Sequence, residues 1–93
     1  MSFTKESAAY AAIDDLAKRL SVAADDVTVT NIKECEFPNS ALGALTKGEI
    51  AGMMMSDGWE YELSAEDETY IYRADSNQLR LVGYNGENII VEQ

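Results

Sequence analysis

The residue types that carry chemistry are few in this chain, and their spacing limits what they can do. No histidine occurs among the 93 residues. That removes the imidazole base and any His-ligated metal or haem. The single cysteine, Cys35, stands between Glu34 and Glu36. A thiolate nucleophile needs a base or a cation beside it, and these neighbours are anions. Cys35 therefore reads as a small interior residue or an unreactive surface thiol. One cysteine also excludes an internal disulfide and a multi-Cys zinc site. A Ser-x-x-Lys spacing occurs at Ser2 and Lys5, ahead of any element able to fix its geometry. No Gly-x-Ser-x-Gly elbow and no phosphate-cradling glycine pattern is present.

Acids are abundant, but adjacent ones converge poorly. Asp14-Asp15, Asp25-Asp26 and Glu66-Asp67-Glu68 are runs of neighbours. Neighbours point to opposite faces of a strand, or diverge by about a third of a turn on a helix. A hard cation needs six to eight oxygens aimed at one point. The runs read as solubility. Glu60 and Glu62 share a strand face, where arginines beside them would keep both ionised and unfit for general-acid work. No catalytic, cofactor-binding or metal-ligating residue is assigned from the sequence. An enzyme built only on carboxylates and tyrosines is the least favoured reading.

What the chain does offer is apolar surface in an irregular stretch. Residues 38–58 hold the only proline and four of the six glycines, yet carry Leu42, Leu45, Ile50 and Met53-Met54-Met55. Long loops inside small domains are often functional. Three consecutive unbranched, polarizable side chains suit an adaptable contact surface. The competing reading has the methionines filling the core around a bent strand. The candidate partner-binding set is Phe37, Leu42, Leu45, Met53, Met54, Met55 and Trp59. A homodimer seam through the methionines or an open sheet edge is the alternative.

Charge narrows the partner. Seventeen acids against seven bases give −10, which disfavours nucleic acid and anionic membranes and favours a basic or apolar protein surface. The aromatic residues, Trp59 and five tyrosines among them, lack the basic surround of a base-stacking platform. No apolar run approaches the ~18 residues of a membrane span, and no leader pattern opens the chain. The expectation is a single domain over residues 1–93, in the cytoplasm.

The elements that must position these residues are legible in outline. Residues 4–20 have the 3.6-residue period of an amphipathic helix, with Ala9, Ile13, Leu16, Ala17 and Leu20 on one face. Thr4 or Ser2 can cap it. Val27 to Thr30 alternates as a strand with Val27 and Val29 inward. Ile32 breaks that parity, so a bulge or strand end near Asn31 is expected. A short strand is expected around Ile50 to Met55. Trp59–Leu63, Glu68–Arg73, Gln78–Val82 and Asn88–Val91 then read as a meander, closed by the hairpin signal Asn85-Gly86.

The prediction is an α+β fold: one N-terminal amphipathic helix on an antiparallel meander of about four to five strands. Trp59, Tyr61, Leu63, Tyr70, Tyr72, Leu79 and Leu81 should face the helix. Glu60, Glu62, Ile71, Arg73, Arg80 and Val82 should form a solvated outer face with cross-strand ion pairs.

Four features in order resemble the small bacterial domains of PepSY-like type. They are DLAKRLSV followed by DDVTV (residues 15–29), FPNSALG (residues 37–43), GWEYEL (residues 58–63) and TYIYRAD (residues 69–75). The resemblance spans about residues 8–82, and the FPNSALG loop is its most distinctive part. In those domains the loop runs on as Leu-Gly-Cys-Pro, whereas here it is Leu42-Gly43-Ala44-Leu45, so no role of that Cys-Pro carries over. The resemblance implies a helix packed on an antiparallel sheet and no established catalytic activity, with inhibition or regulation of peptidases as the nearest functional idea.

Overall fold

The computed structural model describes residues 2–50 and 52–92. Its helix, α1, runs Lys5–Leu20. Thr4 starts it with a reciprocal cap: Thr4 Oγ1 accepts from the Ser7 N–H at 3.1 Å, and Ser7 Oγ accepts from the Thr4 N–H at 2.8 Å. Ser21 ends it in the left-handed conformation, φ 57°. Lys18 and Arg19, in the last turn, pair with Asp14 and Asp15 one turn back.

The buried face of α1 is Ala8, Ala9, Ala12, Leu16 and Ala17, with Ile13 and Leu20 half-buried. The sequence reading placed the face slightly too far round, on the larger side chains. The alanines take the centre because a face of small residues lets the helix approach bulky partners on the sheet. Two of those partners are Tyr61 and Tyr72, both fully buried. Each donates its phenolic O–H to the helix, Tyr61 to the Lys5 carbonyl and Tyr72 to Asp15 Oδ2, both at 2.8 Å. A buried tyrosine needs such a partner for its polar tip.

A 3₁₀ turn at Ala24–Asp26 leads into five strands: β1 Thr28–Phe37, β2 Ser56–Ala65, β3 Glu68–Ala74, β4 Leu79–Tyr84 and β5 Glu87–Glu92. They form one antiparallel sheet in sequence order. This is the expected helix on a meander. The register shifts between Val29 and Asn31, so the parity break seen in the sequence is a bulge, after which β1 continues to Phe37. The helix-facing layer is Tyr61, Leu63, Tyr72, Leu79 and Leu81, all fully buried, with Trp59 and Tyr70 half-buried at its margin.

Two expectations are corrected. No strand forms among the described residues of the Ile50–Met55 stretch (Ala51 lies outside them), and β2 starts only at Ser56. Instead, the chain between β1 and β2 crosses the outer face of the sheet as a strap. That crossing also changes the outer face, which is not uniformly solvated. Phe37, Ala41, Leu42 and Ala44 are buried there, apart from the main core, and Arg80 is only 1% exposed.

Candidate functional site

The strap is residues 38–50 and 52–55, and its path is set by polar atoms. Asn39 Oδ1 accepts from the N–H groups of Ala41 at 2.9 Å and Gly43 at 3.1 Å, which turns the chain just after Pro38. Leu42 and Gly43 follow with φ of 58° and 68°. Ser40 closes the far end of the strap: its N–H donates to the Gly52 carbonyl at 3.1 Å, and its Oγ accepts from the Gly52 N–H at 2.7 Å.

Side chains of the sheet hold the strap from below. Arg73 Nη1 donates to the Leu42 carbonyl at 2.9 Å, and its Nε donates to Glu60 at 3.0 Å. The Arg73 guanidinium also lies over the Phe37 ring, 5.5 Å from its centroid. Gln78 Nε2 donates to the Ser40 carbonyl at 2.6 Å, and Asn88 Nδ2 to the Leu45 carbonyl at 2.9 Å. Arg80 is the centre of this arrangement. It donates to Gln78 Oε1 at 2.7 Å, to the Ala44 carbonyl at 3.1 Å, and with both terminal nitrogens to the Glu49 carboxylate. Thr46 adds donors to Glu49 Oε1 from its N–H at 3.0 Å and its hydroxyl at 3.2 Å. The Arg80 guanidinium, assisted by Thr46, lowers the Glu49 carboxyl to about 2. No buried side-chain polar atom among the described residues lacks a partner. A buried charge is tolerable only under that condition.

With its polar atoms satisfied inward, the strap turns apolar side chains to solvent. Ile50 is 96% exposed, Met53 91%, Met54 78%, Met55 61% and Leu45 44%. The candidate residues thus divide. Leu45, Met53, Met54 and Met55 form the outward surface. Phe37 and Leu42 are interior side chains that seat the strap, and Trp59 packs half-buried against the main core. Ile50 belongs with the outward group although the sequence reading did not single it out.

The remaining chemistry-bearing groups are dispersed. Burial and the helix contacts raise the Tyr61 and Tyr72 hydroxyls, so both stay protonated through neutral pH. Cys35 lies half-buried on β1 opposite Gly58. No group of three His, Cys, Asp or Glu side chains among the described residues is placed to hold a metal. The surface clefts are shallow and open. One lies at the end of the β3–β4 pair, lined by residues 68–71 and 82–85, and another lies beside Trp59, lined also by Glu34, Cys35, Asp57 and Gly58. Among the described residues, no helix is long and apolar enough to cross a membrane.

The helix, the meander and the strap define the class: an α+β domain of one helix on a five-stranded antiparallel sheet. Within that class the chain belongs to DUF8738, a domain of unknown function, whose family model matches residues 9–82. The match takes in most of α1, the strap and the sheet as far as β4. No curated protein and no solved structure matches the chain.

Proposed function

We propose that this domain is a non-enzymatic binding module, with the strap surface formed by Leu45, Ile50 and Met53 to Met55 as its contact region. One observation carries the reading: these side chains are turned outward on a strap whose Ser40–Leu45 part is fixed to the sheet by Arg73, Gln78, Arg80 and Asn88, and whose later part is tied at Glu49 to Arg80 and at Gly52 to Ser40. Solvated apolar side chains gain free energy when a partner covers them, about 25 cal/mol per Å². Holding them on a fixed segment lowers the entropy lost on binding. Methionine adapts to irregular partners.

The partner is a protein surface with an apolar centre and a basic rim, because the chain carries −10 and would steer such a surface toward itself. The PepSY-like resemblance makes a peptidase the first partner class to try. Affinity capture from lysate of the source organism tests the reading. The control bait carries Met53→Ser, Met54→Ser and Met55→Ser and is first shown to be folded by circular dichroism. A protein held by the native bait and lost from the control supports the reading. Equal capture by both baits contradicts it. Recovery of the domain alone, with a mass that rises with concentration, supports the homodimer instead.

A further inference from the structure

We propose that the outer edge of β1 pairs with an extended segment of the partner, one with basic side chains at alternate positions. This rests on the binding-module reading and says how the partner is held. β1 is an edge strand of the sheet. Among the described residues, no backbone group other than those of β2 bonds to it. Beyond its bulge it runs in unbroken register for seven residues, Asn31 to Phe37. Such an edge presents free N–H and C=O groups ready to accept another strand. The opposite edge, β5, is shorter, and its pairing with β4 shifts register twice.

Charge chooses the occupant. Glu34 and Glu36 stand two apart on β1 and therefore share a face. Both are exposed, and among the described residues neither makes an ion pair. Glu36 is directly opposite Asp57 of β2, also exposed, and like charges in that position repel. Glu34 and Asp57 flank the shallow cleft at Trp59. A strand added to this edge sets alternate side chains beside Glu34 and Glu36. Lysine or arginine there relieves the repulsion and reaches the tryptophan. A second copy of the chain fits worse, because the two-fold pairing that uses the whole Asn31–Phe37 run sets Glu34 against Glu34. The edge also ends beside the strap surface: Phe37 pairs with Ser56, the residue after Met55. One partner segment can therefore meet both.

Two octapeptides of equal charge test this on the full-length protein, one alternating Lys with Val and one alternating Lys with Pro. Proline removes every second N–H donor and biases the chain toward polyproline II, so this peptide is the poorer strand former. Amide NMR shifts and hydrogen exchange are read residue by residue. The Lys-Val peptide is expected to bind, to slow exchange at amides within Asn31–Phe37, and to bind at least about tenfold tighter than the Lys-Pro peptide. Glu34→Lys with Glu36→Lys, two exposed sites that leave the fold intact, is expected to weaken it about tenfold. Absent binding, equal binding of the two peptides, or protection on Glu87–Glu92 instead overturns the proposal. The methionine-to-serine variant keeps the two readings apart. If it loses the captured partner while β1 amides in the native complex stay unprotected, the strap surface stands and the strand pairing falls.

Discussion

Replacing Glu49 by alanine should unseat the strap, and the size of the effect follows from the burial of Arg80. Arg80 is 1% exposed and its terminal nitrogens are committed to Glu49. Removing the carboxylate leaves a charged guanidinium under the strap with only Gln78 Oε1 and the Ala44 carbonyl as acceptors. Breaking a buried pair from one side costs about 3–5 kcal/mol. Glu49 retains 17% exposure, so water reaches the site and the lower end applies, about 3 kcal/mol. For a domain whose whole stability is about 5–10 kcal/mol, that is a large share. It corresponds to a Tm lower by roughly 12–24 °C. The assay is urea unfolding followed by circular dichroism, with Glu49→Ala, Arg80→Met and the double variant forming a cycle. The double variant should be more stable than Glu49→Ala, because no unpaired charge remains. A Glu49→Ala loss under about 1 kcal/mol, or a double variant showing the full sum of the two losses, refutes the claim that the pair holds the strap.

Four further outcomes follow from the same structure. The Glu49 carboxyl is lowered from its ordinary 4.5 to about 2, so its contribution is complete above about pH 4.5 and lost as pH falls toward 2; acid titration of stability should lose that dependence in Glu49→Gln. Gly58→Ala would set its Cβ 2.0 Å from the Ala74 carbonyl oxygen, backbone that cannot swing aside; a loss of about 3 kcal/mol in urea unfolding is expected. Glu66 and Asp67 both hold positive φ, 51° and 65°, in the two-residue turn between β2 and β3; Glu66→Asn with Asp67→Gly should raise stability by about 1 kcal/mol, seen as a higher Tm. Tyr72→Phe removes the O–H donated to Asp15 and should cost about 1.5 kcal/mol by the same unfolding assay.

The elements that follow a local period were readable from the chain. Trp59 to Leu63 alternates, Asn85-Gly86 specifies its turn, and the step from Val29 to Ile32 carries its bulge in the parity of the residues themselves. The helix was readable as a helix, and so was much of its face: Ala9, Leu16 and Ala17 are buried, and Ile13 and Leu20 pack against the core. Ala8 and Ala12 were missed, because small residues there are chosen by bulky side chains across the layer. The strap was the hardest part. Its course depends on hydrogen bonds from Arg73, Gln78, Arg80 and Asn88 to carbonyls 31 to 43 residues away. No spacing rule reports such partners. Arg80 does alternate with Leu79 and Leu81, which placed it with Arg73 on the outer face. Only the fold shows that the strap covers them. The candidate site was legible as an apolar loop; its division into seated residues such as Leu42 and outward ones such as Met54 was not.

The central claim is that Met53, Met54 and Met55 stand outward to meet a partner. Its most direct test is the ¹³C-methyl NMR spectrum of the methionines, taken before and after adding the protein that affinity capture identifies. The account predicts sharp methyl signals near their solvated positions in the free domain, with Met53, Met54 and Met55 shifting or broadening together on binding. Methyl signals that stay unmoved while the partner binds elsewhere on the domain would contradict it.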